Sequence, residues 1–436
     1  MAAVYDVVVV GGGIGGLTVA ALLATRGVNV CLLERQSQVG GCVARAEFSA
    51  YDFEPGMGVY TSFGAGEIYE VIFAHLPVDV PETSLLAKPY VVRLADGTDV
   101  RLIGDDGFFD ELSAAFPECA DRAIEVYRKP ALENLTATSP RFQSFIDAQL
   151  RAFVHASIDQ CDLATTVAAL TRVRAPIYAI DGGPATLAER LGESIKKSGG
   201  TVRLNTPVLR LAYDTSGAAV GVDLLSGETV GARRAIVSNL TIWDTYGKLV
   251  GLNRTPPELK KTVNAAYGSG AFVVYTTIEE AAVARLPGER LLAVTSPAAA
   301  SPVTGAAEFS EFTLAVHGRT ATLKSATDVR EWFTYHESEE EFEESDQAAL
   351  ERFWTKLHTA LPELGSDIEI IETANPRTFY DQTRRKLGMV MGALAGSKIP
   401  SSGTSIPNLF MIGDTVSPLP DLASVIQTAA SLVENL

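Results

Sequence analysis

YDVVVVGGGIGGLTVAALLATRGVNVCLLER, residues 5–35, opens on four consecutive valines, Val7 to Val10, that run straight into glycines. A short β-branched apolar run of this kind predicts a strand buried on both faces in a parallel sheet. It leads into Gly11-x-Gly13-x-x-Gly16. Glycine at these places permits a tight strand-to-helix turn, lets a pyrophosphate approach the backbone, and lets helix and strand pack closely. A helix is expected from about Gly15 to Arg26, with the free N–H groups around Ile14 and Gly15 and its positive dipole end facing the phosphates. After Gly27 a second strand, Val28 to Leu33, ends in Glu34-Arg35. The Glu34 carboxylate falls at about the 20-residue offset where an acid receives a ribose 2′-hydroxyl. Strand, loop, helix, strand and terminal acid in this order describe a dinucleotide site, and NAD would fit it as well as any other dinucleotide.

The remaining bulk properties narrow the class. A chain of 436 residues suits two interlocked domains. Its formal charge of −17 argues against nucleic acid as a partner, and against anionic membranes unless a local patch overrides it. Four cysteines, Cys31, Cys42, Cys119 and Cys161, show no CxxC spacing and with five histidines suggest no metal site. A reducing compartment is the simplest expectation. No leader pattern precedes the first strand and no apolar run approaches the ~20 residues of a membrane span, so a cytoplasmic protein is expected.

Past Glu34, QSQVGGCVARAEFSAYDFEPGMGVY (36–60) is rich in small residues without helical periodicity, and Gly40-Gly41 would bring backbone amides close to a neighbour. The order Glu34, Gly40-Gly41, Phe53-Glu54-Pro55-Gly56 resembles flavin-dependent amine oxidases and, more closely, the carotenoid (phytoene) desaturases and carotenoid isomerases within that superfamily. The resemblance implies an α/β fold: a Rossmann-type FAD-binding domain of the glutathione reductase and amine oxidase kind, with an interleaved α+β substrate domain. It places Gly41 and Cys42 against the FAD pyrophosphate and ribityl chain, Glu34 and Arg35 at the ribose end, and Gly56, Met57 and Gly58 beside the isoalloxazine. Many relatives carry arginine where this chain has Cys42. For Cys42 a buried small hydrophobe and a reactive thiol are both open.

Two alternating segments between Lys88 and Ile103 flank Asp96-Gly97, a hairpin signal. Residues from Phe108 to Leu170 read as helical, with breaks at Pro117, Pro130 and Pro140. There Phe142, Phe145, Ile146, Gln149, Leu150, Phe153 and Val154 share one face, either packed on the core or lining an apolar tunnel or membrane contact. A helix starting at Pro184 and stopping near Gly199-Gly200 precedes strands at Val202–Leu204 and Val208–Ala212, and by resemblance the Val208 backbone meets the adenine. Short strands follow to Asn239, whose Asn239-Leu240-Thr241 triplet reads as chance. Strands are expected at Phe272–Ile278, Phe312–Val316, Trp332–His336 and Ile368–Ile371, in a mostly antiparallel sheet with one face covered. The acidic run Glu337–Asp346 is expected to be a solvated entry to a helix Gln347–Ala360. Ala374–Ala393 resembles the desaturase passage that crosses back toward the flavin.

The chain ends in a strand Leu409–Ile412, a Gly413-Asp414 turn and an amphipathic helix from Leu422. By resemblance Asp414 meets the ribityl or phosphate oxygens, with Leu422 and Ala423 at the head of the last helix. Two glycines usual there are replaced by Leu419 and Asp421, and one in the helix by Ala429. Asp421 either points at the flavin and alters its redox poise or caps the last helix. The FAD-binding domain is expected over 1–85, 178–245 and 390–436, and the substrate domain over 86–177 and 246–389. The resemblance implies an FAD-dependent oxidoreductase acting on an apolar polyene or isoprenoid, by desaturation with hydride transfer to flavin N5. Redox-neutral isomerisation, amine oxidation and non-catalytic binding are the alternatives. No catalytic base is assigned; Tyr60, His75 and Arg384 are polar residues near the flavin by analogy. The partner expected is an apolar small molecule, with peripheral membrane contact possible and the oligomeric state not legible.

Overall fold

A computed structural model of the chain describes residues 3–49, 51–54, 58–129, 131, 138–265, 269–295, 310–333, 339–389 and 402–436, with the backbone alone at 262–265 and 339–342. Its first sheet has Val4–Val10 between Val30–Leu33 and Thr229–Ser238, all parallel, with Thr201–Arg203 beyond one and Leu409–Met411 beyond the other. Thr229–Ser238 also continues into an antiparallel meander with Ala219–Leu224 and Val208–Tyr213. The valine run is buried on both faces, as expected. Val7 and Val9 pack with Leu17, Ala21 and Ile426, whereas Val8 and Val10 face Ile236, Trp243 and Met411, which is the period-two alternation of a strand. The helix Ile14–Thr25 is buried on nearly all sides because Ala185–Lys197 and Leu422–Val433 both pack on it. A helix that is hydrophobic all round needs such a position.

The second sheet runs in the order Ile368–Ala374, Gly270–Ile278, Thr320–Thr327, Glu311–His317, Arg290–Val294, Tyr90–Arg93, Asp99–Leu102. Every pairing is antiparallel except Arg290–Val294 with Tyr90–Arg93. The expectation of one covered face is corrected. Val91, Leu291, Phe312, Leu314 and Leu323 lie against Phe353 and Leu357 of the helix Glu339–Ala360. Tyr90, Val92, Leu292 and Val294 lie under a helical cap containing Phe108, Phe142, Phe145 and Phe153. The sheet is therefore covered by apolar side chains on both sides where Arg290–Val294 and Tyr90–Arg93 pair. The cap helices are Gly107–Ala115, Ala120–Arg128, Pro140–Val154 and Leu163–Arg172. Pro140 begins its helix behind Ser139, whose Oγ accepts from the Phe142 amide at 3.2 Å.

Two further expectations change. Trp332 ends a short helix, Val329–Trp332, instead of opening a strand, because Asp328 accepts from the Arg330 amide at 2.9 Å and caps it; residues 334–338 lie outside the described residues. The helix placed at Gln347 begins at Glu339, so most of the acidic run lies inside it. Among the described residues no helix is long and apolar enough to cross a membrane.

One buried ion pair joins the two halves. Arg290, 1% exposed, donates from Nη2 to Glu54 Oε2 at 2.8 Å and from Nε to the Gly58 carbonyl at 2.8 Å. Its Nη1 reaches the carbonyls of Val316 and Glu289. Thr322 Oγ1 donates to the Glu54 carbonyl at 2.7 Å. Gly58 must be glycine here, with φ +62° and a Cβ that would sit 2.4 Å from Arg290 Nε. Removing one partner of a buried pair leaves the other charge uncompensated. Arg290→Met is expected to lower stability by roughly 3–5 kcal/mol, read as the shift in urea midpoint at constant m. Arg290→Lys should recover only part of it, because a single ammonium cannot serve the same fork of acceptors.

Candidate functional site

The glycine loop is packed as tightly as its sequence demands. The Gly11 amide donates to the Leu33 carbonyl at 2.8 Å with φ +100°, and a Cβ on Gly16 would lie 2.3 Å from the Gly11 carbonyl oxygen. Gly13 is the N-cap of the helix and has no side chain to satisfy the amides of its first turn, so they remain available to an anion. Glu34 Oε2 accepts from the Gly12 amide at 2.7 Å and Oε1 from the Gln36 amide at 2.8 Å, which fixes the carboxylate at the head of the loop. Beside it Arg35 Nη1 is buried with no hydrogen-bond partner among the described residues, a donor in want of a ligand.

Other predicted residues gather at the same loop. The Gly40 amide donates to the Gly12 carbonyl at 2.8 Å, and a Cβ on Gly41 would stand 3.3 Å from Gly13 Cα. Cys42 follows in a short turn, Gly41–Val43. Val208 opens its strand just after Thr206, whose amide donates to the Glu34 carbonyl at 2.8 Å. Gly56 and Met57 lie outside the described residues. Asn239, dismissed as part of a chance triplet, stands at the centre. A Cβ on Gly13 would meet its Nδ2 at 2.6 Å, one on Gly15 its Oδ1 at 2.8 Å, and one on Gly413 the same Oδ1 at 3.3 Å.

At the far end Asp414 is gripped by Arg385, Nη1 to Oδ2 at 2.8 Å and Nη2 to Oδ1 at 3.0 Å. Asp421 caps the last helix: its Oδ1 accepts from the Ser424 amide at 2.8 Å. Its Oδ2 lies 3.4 Å from Arg172 Nε, so an arginine balances the acid. Leu419 is buried in the core of the helical cap, a use no glycine could serve. Leu422 and Ala423 begin the last helix and, with Tyr60, Tyr69, Phe153, Arg172, Leu419 and Asp421, line a small hollow of about 40 Å³ that is partly open to solvent. The aromatic face of Pro140–Val154 packs on the core, as Phe142 and Phe145 do, and its last residues, Phe153 and Val154, also border this hollow.

Three further polar side chains share the interior. Cys42 presents an exposed surface but is ringed by atoms; burial pushes its thiol up, with Arg385, Asp414 and Lys324 as its charged neighbours. Lys324 alternates onto the same sheet face as Thr322, and burial pushes its ammonium down to about 8. It has no ion-pair partner among the described residues. His155, left-handed at the end of Pro140–Val154, is pushed down to about 3 by burial first and then by Lys324, and its Nδ1 is buried without a partner.

Of the polar residues placed near the flavin by analogy, only Tyr60 is inside. It is buried, and its phenol is held well above the usual value by burial and by the Glu54 carboxylate. His75 is exposed beyond the helix Ile68–Phe73. Arg384 is exposed, paired with Asp381 at 2.9 Å and set over the Tyr380 ring at 5.0 Å, because its left-handed backbone (φ 56°) turns it outward and its neighbour Arg385 inward. Sequence reasoning missed Asn239, Lys324 and Arg385. Only Lys324 left a trace, as the one charge in an alternating strand.

Lys324 carries its charge below pH 8 and loses it above. An anionic ligand of this interior is expected to bind more weakly as pH rises through 8, and calorimetric titration with FAD should lose that inflection in Lys324→Met.

The comparisons with known proteins agree with this geometry. The model of the NAD(P)-binding Rossmann-like domain matches residues 9–76, and that of the flavin containing amine oxidoreductases matches 142–373. The chain is 26% identical over 484 residues to the chloroplastic prolycopene isomerase of Arabidopsis thaliana, covering 95% of this chain and 79% of the plant protein. Other prolycopene isomerases match over about half of their own length. A carotenoid 3,4-desaturase of Haloarcula japonica is 35% identical over 136 residues, 31% of this chain and 26% of the archaeal one. An oxidoreductase structure from Methanosarcina mazei superposes with a TM-score of 0.71 at 16% identity, over 98% of this chain and 99% of that one, which shows the fold alone. The cofactor is FAD, a flavin by family and a dinucleotide by its loop. With more than half of its length matched, the chain belongs to the flavin-containing amine oxidoreductase family, on its carotenoid isomerase and desaturase side.

Proposed function

We propose that this protein rearranges the double bonds of an apolar polyene of the carotenoid class or removes two hydrogens from it to form a new one, with FAD held by Gly11, Gly13, Ile14, Gly15, Gly16, Glu34, Arg35, Gly41 and Asp414. The bound flavin supplies a ring nitrogen that accepts and returns hydride. The protein's own part is to hold, orient and dry the site. The uncapped first turn after Gly13 receives the pyrophosphate, Glu34 takes the ribose hydroxyls, and Arg35 Nη1 gains a partner.

The observation that carries the substrate class is the hollow at the head of the last helix. Val59, Phe153, Val154, Val173, Leu419 and Leu422 give it apolar walls, and its charged groups, Arg172 and Asp421, already face each other. Such a lining accepts a hydrocarbon and gives an ammonium no unpaired carboxylate. Within this class redox-neutral isomerisation is favoured over desaturation. Alignment with a prolycopene isomerase runs along 95% of the chain. Among the described side chains lining the hollow, Tyr69 and Tyr60 are held protonated by burial, and Asp421, the one carboxylate, gives Oδ1 to the helix cap and faces Arg172 with Oδ2, which disfavours it as a proton acceptor. Desaturation, supported by the shorter match to the archaeal desaturase, is the second reading.

Anaerobic incubation of the FAD-loaded protein with a poly-cis carotene, in parallel with the flavin oxidised and with it photoreduced, followed by chromatography and mass spectrometry, separates the two. Isomerisation is expected: changed geometry at unchanged mass. Loss of two hydrogens with bleaching of the oxidised flavin would establish desaturation instead. A flavin bleached by amines and indifferent to every polyene would overturn both.

A further inference from the structure

A pyrophosphate brings two negative charges to the Gly11–Gly16 loop, and the loop offers it only backbone amides. The first helical turn, Ile14-Gly15-Gly16-Leu17, contains no basic residue, and a helix end supplies about half a positive charge. The nearest side chains make matters worse, since carboxylates stand on both sides, Glu34 at one and Asp414 at the other. Arg35 answers the first. The second is answered from far along the sequence.

Asp414 adjoins the first turn. Gly413 abuts Asn239 Oδ1, the atom that a Cβ on Gly15 would meet at 2.8 Å. Both Asp414 oxygens accept from Arg385, at 2.8 and 3.0 Å. The Cys42 side chain is next to the same guanidinium and follows Gly41, which lies against Gly13. Arg385 therefore stands over the mouth of the loop, between Asp414 and Cys42. Burial alone would weaken its protonation, but Asp414 together with Cys42 and Asp244 outweighs burial and holds it above its ordinary value. The segment delivering it is tightly specified. Arg384 and Leu387 adopt left-handed backbone at φ 56° and 52°. Gly388, at φ +63°, has no room for a Cβ, which would fall 1.7 Å from the Pro376 carbonyl oxygen. The Lys386 amide is held by Asp244 Oδ2 at 3.3 Å, and Lys248 Nζ reaches the Arg384 carbonyl at 2.6 Å. Left-handed positions of this kind persist only where the surroundings over-determine them, and they collect at ligand clamps.

We propose that Arg385 is the cationic positioning residue of the FAD site, cancelling the charge of Asp414 beside the pyrophosphate, orienting its carboxylate toward the ribityl hydroxyls, and standing in for a basic side chain at Cys42. The proposal rests on FAD being the ligand of the Gly11–Gly16 loop. An uncancelled Asp414 would repel the phosphates across a low-dielectric interior. With Arg385 in place the same carboxylate becomes a hydroxyl acceptor of fixed direction.

The test measures FAD affinity by quenching of flavin fluorescence on the apoprotein, with circular dichroism and thermal midpoint recorded for each variant. Arg385→Met is expected to weaken FAD by about ten- to a hundredfold. Asp414→Asn added to it should recover much of the loss, because the repelling charge is gone, and Cys42→Arg added to it should do so by restoring a cation at the mouth. A merely structural arginine would be rescued by neither. Arg385→Met binding FAD like the wild type, or failing to be rescued by either second change, would overturn the proposal. If Arg385→Met does not fold, Cys42→Arg in the otherwise intact chain decides: it should tighten FAD severalfold, and weaker binding overturns the proposal. Wild-type apoprotein that takes up no FAD would instead remove the reading on which it rests.

Discussion

The interior of this protein is organised around a buried charge. Arg290 reaches from the second sheet to a carboxylate and a carbonyl of the segment that leads away from the dinucleotide loop. A guanidinium taken out of water is stable only if its donors find acceptors, and three stretches, at Glu54 and Gly58, at Glu289 and at Val316, supply them. That requirement sets the register between the two halves more sharply than apolar packing could. Hydrocarbon surfaces tolerate sliding, whereas a forked donor does not. The loop carrying Gly58 and Tyr60 is consequently held at a defined distance from the sheet whose other strands bring Lys324 and Glu311 to the same face.

What could be read from the sequence and what could not divides along physical lines. The strand Val4–Val10, the glycine turn, the helix after it and Glu34 are local events, each decided by residues within a few positions, and all were legible. The hairpin about Asp96-Gly97 was legible for the same reason. The strands Arg290–Val294 and Thr320–Thr327 were not. The first carries the buried arginine where an apolar residue belongs, and the second alternates apolar residues with threonine, lysine and serine because its other face looks onto the site. Trp332 misled through its bulk, since an aromatic residue suits a strand until the cap at Asp328 is noticed. Asn239 and Arg385 carry no local signature, because their roles depend on segments about 230 and 30 residues away.

The two replaced glycines show how a family site absorbs side chains. Leu419 packs into the helical cap and also borders the hollow, adding an apolar anchor between the halves. Asp421 spends one oxygen on the helix end and faces Arg172 with the other. The hollow beside them is thereby bordered by a balanced pair and not by a bare helix dipole. A charge-neutral wall of this kind suits a hydrocarbon neighbour, since no isolated charge must be desolvated when the ligand enters.

The parallel sheet has a consequence for how the chain comes to exist. About 400 residues of chain separate Val4–Val10 from Leu409–Met411 and the helix Leu422–Val433, which complete its edge and cover Ile14–Thr25. At ordinary synthesis rates of roughly 5–20 residues per second, the valine strand and the apolar helix wait tens of seconds for their cover. During that interval an edge able to pair with other chains is bare. Asn239 and Asp414 also come to the glycine loop from far along the chain, so the cofactor site and the edge of the sheet are completed by the same distant segments. A chain interrupted before Leu409 would lack both at once.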